Sequence, residues 1–220
     1  YLVAEHLSRI QRTGGAEGTG FDFVYKDGEG NILGGNEGGN AWVRWYKSEV
    51  GSLQGKTATI LGGAGATGNA IAFSMLEQGV KSISITDIDV ERGRAVVARL
   101  KQKFPDADIN FYTATSDDQA LLYNTLERSD IVVNTTGVGK KDSSESPLSD
   151  NLHAAMKKGT IAVDLNYRPE PVNAFLTKSS ERGAAIYNGT GLLIAVNAIA
   201  VARAITKEER RAAKHPQPKR

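Results

Sequence analysis

Gly63-Ala64-Gly65-Ala66-Thr67-Gly68 follows the β-branched stretch Thr57-Ala58-Thr59-Ile60-Leu61 and precedes a helical pattern starting near Asn69. A G-x-G-x-x-G match is a weak signal in a chain with 24 glycines. Between a strand and a helix it becomes strong, because each glycine then has a task. Gly63 permits the tight turn after the strand, Gly65 lets the backbone approach a diphosphate, and Gly68 lets the helix close on the strand. The N–H groups and dipole at the helix start suit a doubly charged group. The whole turn, Ala64, Ala66 and Thr67 included, is therefore a candidate dinucleotide site.

The next strand pattern, Ser82-Ile83-Ser84-Ile85-Thr86, ends at Asp87, roughly 20 residues past the glycines. An acidic residue there accepts hydrogen bonds from the adenosine ribose. Asp87 would otherwise cap the following helix, but Asp89 is better placed for that, with Val90, Val96 and Leu100 after it at helical spacing. A carboxylate at Asp87 repels a 2′-phosphate, and the next residue is Ile88 rather than a cation. Both favour NAD over NADP. Arg92 is read as a solvated charge on the helix face, although it lies within reach of a phosphate at that position.

From Lys56 onward strand and helix alternate. Strands are expected near 57–62, 82–86, 108–112, 130–134 and 160–165, and helices near 66–79, 89–104, 117–127, 149–157 and 171–183. The strands are short and almost entirely apolar, as parallel strands covered on both faces are. The fold class is a doubly wound parallel α/β sheet, Rossmann-like, with helices on both faces. A last helix, roughly 190–205, carries Leu192, Leu193, Val196, Ile199, Val201 and Ile205. It is too apolar for a free surface helix and is expected to pack back on the first part of the chain.

Ahead of this domain, residues 1–12 read as a helix, and 13–40 are glycine-rich with one short strand at 21–25 and a turn at Lys26-Asp27-Gly28. Residues 41–51 read as a helix with Ala41, Trp42, Trp45 and Val50 buried. The expected division is 1–52, an N-terminal segment that links to or is the remnant of a substrate domain; 53–205, the dinucleotide-binding domain with its returning helix; and 206–220, a charged tail.

The 220 residues suffice for a sizeable core, and 40% hydrophobic with 24% charged residues is ordinary for a globular chain. A formal charge of +2 makes no general electrostatic case for nucleic acid. With no cysteine, disulfides, thiolate catalysis and Cys–zinc sites are excluded. His6, His153 and His215 have no metal-ligand spacing, and no G-x-S-x-G elbow is present. No apolar run has transmembrane length and no signal-peptide pattern is visible. The expectation is a cytoplasmic chain with a small-molecule substrate, no nucleic-acid or membrane partner and no metal. A homo-oligomer or a separate substrate domain stays open. The chain starts at Tyr1 rather than Met, which suits a fragment or a processed chain.

Ligands of such sheets bind beyond the carboxyl ends of the strands. Ile131-Val132-Val133 is followed by Asn134-Thr135-Thr136-Gly137-Val138-Gly139, where small residues let a nicotinamide ribose approach the backbone. Ile161-Ala162-Val163 is followed by Asp164-Leu165-Asn166-Tyr167-Arg168-Pro169. Tyr167 either donates a hydrogen bond to substrate or packs with its hydroxyl satisfied. Asn188-Gly189-Thr190-Gly191 precedes the final helix, and Gly189 or Gly191 is placed to pass close to the nicotinamide carboxamide, unless this is a plain turn.

Together these strand ends resemble the shikimate dehydrogenase family, from about Gly20 to Ala204. The family's N-x-T-P-x-G loop is similar to Asn134-Thr135-Thr136-Gly137-Val138-Gly139, with Gly137 in place of proline. Its D-x-x-Y-x-P matches Asp164 to Pro169 in full, and its G-x-G-M-L resembles Gly189-Thr190-Gly191-Leu192-Leu193. Its D-G turn and N-T-D-G run resemble Asp27-Gly28 and Asn36-Glu37-Gly38-Gly39. The resemblance implies that Leu165 and Gly189 touch the nicotinamide end and Tyr167 the substrate. It implies NAD again, since members that prefer NAD carry Asp at Asp87 and NADP-dependent ones carry Asn-Arg.

The departures fall on the substrate side. The family's catalytic aspartate falls on Gly38, a substrate-binding asparagine on Asp22 and a substrate-binding glutamine on Val196. The catalytic lysine is implied to lie in a substrate domain of roughly a hundred residues before Tyr1. No catalytic residue is therefore assigned. Glu37 and Lys140 lie toward the cleft but read as surface charges. The expected function is an NAD-linked oxidoreductase of shikimate-dehydrogenase-like type acting on a small polar alcohol or carbonyl compound. The alternatives are a methylene-tetrahydropterin dehydrogenase-like enzyme and a non-catalytic dinucleotide-binding or regulatory module.

Overall fold

The structure, a computed structural model, describes residues 38–115, 118–167, 172–199 and 201, together with the backbone of 11–13, 23–26 and 32–35. The expectations for 1–10, Asp22, the turn at Asp27-Gly28, Asn36, Glu37, Arg168, Pro169 and the tail 206–220 lie outside the described residues.

Three short strands, β1 (Gln11–Thr13), β2 (Phe23–Lys26) and β3 (Ile32–Gly35), form a small mixed sheet in the order β1-β3-β2. Strand β3 is parallel to β1 and antiparallel to β2. Two expectations are corrected here. Residues 11 and 12 are strand rather than the end of a helix, and the glycine-rich stretch holds β3. The cause is pairing: β3 is bonded on both edges, which local composition does not register.

Helix α1 (Gly38–Glu49) leads into the main sheet. Its order along the chain is β4 (Thr57–Leu61), α2 (Ala66–Glu77), β5 (Ser82–Asp87), α3 (Val90–Lys103), β6 (Asp108–Thr113), α4 (Gln119–Arg128), β7 (Ile131–Asn134), α5 (Asp150–Ala155), β8 (Ile161–Asp164), α6 (Ala174–Glu181) and β9 (Ala185–Asn188). Residues 190–199 form a last helix, α7. The six strands are all parallel, in the order β6-β5-β4-β7-β8-β9. The chain starts at the centre, runs outward to β6, crosses back to β7 beside β4 and continues to β9. That reversal between β4 and β7 opens a crevice at the carboxyl ends of the strands. The five strands expected from sequence are all present; β9 was not expected and completes the sheet.

Alternation along the central strands divides the core. Ile60, Ile83, Ile85, Ile131, Val133 and Val163 face a cluster with Trp42, Tyr46, Ile71, Met75, Val96 and Leu100 from α1, α2 and α3. Leu61, Val132 and Ala162 face the opposite cluster with Leu122, Leu126, Leu152, Phe175 and Leu176 from α4, α5 and α6. Helix α7 returns to the first face: Leu192 is buried there, and Val196 and Ile199 pack against it. Gly191 admits the Trp45 indole, where a Cβ would overlap the ring. This is the return onto the first part of the chain that the apolar pattern of α7 predicts.

Helices α1 and α2 approach closely at Gly39, where a Cβ would run into the Ala70 carbonyl and the Ser74 hydroxyl. The contact seats α1 on the helix that carries the glycine turn.

Candidate functional site

Parallel register aligns the strand ends. Leu61 lies opposite Thr86 on one side and Asn134 on the other, Asn134 opposite Asp164, and Asp164 opposite Asn188. The three loops singled out from sequence therefore emerge side by side above one row of the sheet.

The glycine turn is tight, but the left-handed residue is Gly62, at φ 77°, rather than Gly63. A Cβ on Gly62 would also sit 2.8 Å from the Thr136 methyl. Gly63 is needed for a different reason: a Cβ there would lie 2.7 Å from the Ile85 side chain, so its absence lets the turn settle on β5. At Gly68 a Cβ would lie 2.7 Å from the Gly62 carbonyl, the Gly63 Cα and the Thr135 hydroxyl, which is the close helix–strand approach expected. At Gly65 a Cβ would meet only the Gly62 carbonyl, at 3.2 Å. Gly65 is the N-cap of α2 and supplies no side-chain cap, and the first turn of α2 holds no acidic residue. The first N–H groups of this helix thus lack a side-chain acceptor, and an anion is the partner that suits them.

Asp87, half-buried at the end of β5, accepts the Ala64 N–H on Oδ2 at 3.1 Å and the Asp89 N–H on Oδ1 at 3.1 Å. It ties the glycine turn to the start of α3. Asp89 is the N-cap of α3, accepting the Arg92 N–H at 3.0 Å, and it also pairs with the Arg92 guanidinium at 3.3 Å. Ile88 is 81% exposed beside Asp87.

The loop after β7 is held from two sides. Thr135 Oγ1 donates to the Leu61 and Gly62 carbonyls at 2.8 and 3.0 Å, binding this loop to the glycine turn. Asn134 is fully buried, and its Oδ1 accepts the Thr136 N–H at 3.0 Å and the Thr136 hydroxyl at 2.7 Å. Its side chain therefore shapes the loop rather than lining the cleft, and Val138 likewise lies outside the cleft lining. The cleft itself brings together Thr67, Thr135, Thr136, Gly137, Leu165, Tyr167 and Gly189, with Leu192, Leu193 and Val196 of α7 as an apolar wall. Lys140 stands on its rim. Gly189 is glycine because a Cβ would overlap the Leu165 carbonyl, so the protein's own backbone demands it.

Sequence reasoning gave no role to Asp164, Asn166 and Asn173, yet these residues organise the cleft floor. Asp164 is 0% exposed and accepts from the Asn134 amide at 2.9 Å, the Asn173 amide at 2.8 Å and the Asn166 N–H at 2.7 Å. Burial pushes its carboxyl above the usual range, against the pull of the bonds from Asn173, Asn134 and Asn166. The available signal was its place directly after a wholly apolar strand, level with Asn134 of the neighbouring strand.

Among the described residues no His, Asp or Glu cluster is arranged to hold a metal, and no helix is long and apolar enough to cross a membrane.

A doubly wound sheet with a glycine turn at its switch point, an acid at the end of the next strand and a cleft over the following loops defines a dinucleotide-binding domain. No family model matches the chain. It is 30% identical over 200 residues to a shikimate dehydrogenase (NADP(+)) of Bacillus cereus, covering 90% of this chain and 67% of that one. A protein of the same description from Lysinibacillus sphaericus is 30% identical over 197 residues, covering 89% and 64%. The solved shikimate 5-dehydrogenase of Listeria monocytogenes, in complex with shikimate and NAD, superposes with a TM-score of 0.74 at 26% identity, over 87% of this chain and 64% of that one. The quinate dehydrogenase of Corynebacterium glutamicum in complex with NAD has the same fold, at a TM-score of 0.72 and 20% identity over 90% and 67% of the two chains.

The chain belongs to the shikimate dehydrogenase family, whose members are oxidoreductases that act on a CH–OH group with a pyridine nucleotide. It spans about two thirds of the length of these relatives.

Proposed function

We propose that this chain is the NAD-binding part of an oxidoreductase acting on a small polar alcohol or carbonyl compound. In this reading 53–205 is the dinucleotide-binding domain, and 1–52 links to or is the remnant of a substrate domain. The diphosphate would rest on the turn Gly63-Ala64-Gly65-Ala66-Thr67-Gly68, against the uncapped N–H groups of α2. Asp87 would take the adenosine ribose hydroxyls, and Ile88 would cover the adenine. The nicotinamide end would lie over Thr135, Thr136, Gly137, Leu165 and Gly189, with Tyr167 turned toward substrate. The bound nicotinamide supplies the hydride chemistry; the chain's contribution is to orient it and to exclude water.

The observation that carries NAD rather than NADP is the Asp87 carboxylate, fixed by two backbone N–H groups with Ile88 after it. A 2′-phosphate would bring a second negative charge against it. The curated relatives carry NADP(+) in their names, whereas the Listeria structure holds NAD. Calorimetry with both nucleotides tests this point. NAD is expected to bind at least tenfold tighter than NADP, and Asp87→Asn is expected to narrow the gap. Tighter binding of NADP would overturn the role given to Asp87.

A second reading, a dinucleotide-binding module without chemistry of its own, is favoured by Gly38. This first residue of α1 has no side chain where the family resemblance places a catalytic aspartate. Tight NAD binding with no NAD reduction across a panel of polyols and hydroxy acids would support the module. The relatives reported above carry shikimate or quinate dehydrogenase names, which leaves the pterin alternative without a supporting observation.

A further inference from the structure

Asp164 is a fully buried carboxylate whose described partners are all neutral amides. Every one of these neighbours presents a donor to it. Asn134 uses its Oδ1 on Thr136, and Asn173 uses its Oδ1 to accept the Leu176 N–H at 3.2 Å and cap α6. Both amides must therefore point their NH2 groups at Asp164 Oδ2, while the Asn166 N–H points at Oδ1. All three partners are donors, so the group between them must accept on both of its oxygens, which a carboxyl group does and a carboxamide does not.

The partners converge on one loop. Asn134 sets the backbone and hydroxyl of Thr136. Asn166, turned by its bond to Asp164, donates from Nδ2 to the Thr136 carbonyl at 3.2 Å and the Val138 carbonyl at 3.0 Å. Asn173 packs under Gly139, where a Cβ would lie 2.6 Å from its Nδ2. One buried carboxyl group thus reaches three points along 136–139.

We propose that Asp164 is a positioning residue: through Asn134, Asn166 and Asn173 its carboxylate shapes the 136–139 loop on which the nicotinamide end of the cofactor rests. Asp164 itself stays beneath the cleft and touches neither cofactor nor substrate. The inference rests on the dinucleotide reading above. It predicts that disturbing Asp164 weakens the nicotinamide end of the site and leaves the diphosphate and adenosine end intact.

The test compares NADH with ADP, which has the adenosine and diphosphate but no nicotinamide ribose. Affinities are measured on the full chain by NADH fluorescence and by calorimetry. Asp164→Asn places an amide donor against donors and is expected to weaken NADH about tenfold, the scale of one charge-assisted hydrogen bond, with ADP within twofold of wild type. Asn173→Ser keeps a helix cap on α6 but removes the amide bond to Asp164, and is expected to weaken NADH about threefold with ADP unchanged. It decides the matter if Asp164→Asn does not fold. NADH affinity unchanged in the folded variants, or a parallel loss of NADH and ADP, would overturn the positioning role. If the unaltered chain binds neither ligand, the dinucleotide reading itself fails.

Discussion

Asp87 and His153 show opposite ways for a polar side chain to be held. Asp87 is half-buried and bonded to two backbone N–H groups. His153 is buried in the α5–α6 layer, with Nε2 bonded to Ser146 Oγ at 2.8 Å, Nδ1 unpartnered and the Phe175 ring 5.7 Å away. Burial, with the Lys178 charge adding to it, pushes its pKa down from 6.5 to about 4. Folding therefore keeps His153 neutral, and between pH 6.5 and 4 the unfolded chain binds the proton more readily. The stability contributed by the neutral ring is full above about pH 6.5 and is lost as the pH falls toward 4. Denaturant titrations over this range are expected to show the wild-type midpoint falling more steeply with acid than that of His153→Gln. Parallel curves for the two proteins would refute this origin.

Close approaches at glycine set the element scale. Gly68→Ala would place a methyl 2.7 Å from the Gly62 carbonyl and the Gly63 Cα, both of them backbone, so the neighbours cannot yield as a flexible side chain would. The expected cost is about 1–3 kcal/mol of stability, with a matching loss of ADP and NADH affinity if the proposed diphosphate site on the turn is right. Gly39→Ala acts against the Ala70 carbonyl, at the α1–α2 contact away from the turn. It is expected to lower stability by a similar ~1–3 kcal/mol with nucleotide affinity changed less than twofold. Thermal melts with and without NADH separate the two. An NADH-induced rise in Tm that survives in Gly68→Ala would contradict the assignment of the turn.

Elements with a strong apolar period are legible from sequence, and those that depend on a distant partner are not. Strands β4, β5 and β7 read correctly because burial on both faces leaves them short, β-branched and, before the last residue of β5, uncharged. Strand β9 was missed because it is a short edge strand whose four residues are exposed or half-buried, with no such run. Strand β3 was missed because two of its four residues are glycine and its order comes from neighbours on both sides. At the cleft the residue types were legible while their directions were not. Asn134 reads as a cleft residue until the sheet register sets it opposite Asp164.

At the scale of the whole molecule the sheet is graded from centre to edge. Among the described residues, strands β4 and β7 lie in the interior with ladders on both sides, whereas β6 and β9 each pair on one side. Amide hydrogen exchange is expected to show Ile60, Ile131 and Val133 opening only with global unfolding, and the β6 and β9 amides opening earlier. Equal protection in β9 and β7 would contradict this grading. The cleft lies over the carboxyl ends of β4, β7, β8 and β9, so its floor draws on three interior strands and one edge.

The sequence by itself determined the doubly wound sheet, the glycine turn and the acid after the next strand. These are local matters: period, breaker residues and spacing act within about thirty residues of chain. Tertiary structure decided what those features touch. Register between strands set Asn134 against Asp164 and placed Asn173 of α6 beneath the loop after β7. It also made Gly62 the left-handed residue of the turn, and assigned Gly189 and Gly191 to contacts with Leu165 and Trp45. The physical reason is that buried polar groups and close backbone approaches are satisfied by partners tens of residues away, and only packing selects which partners those are.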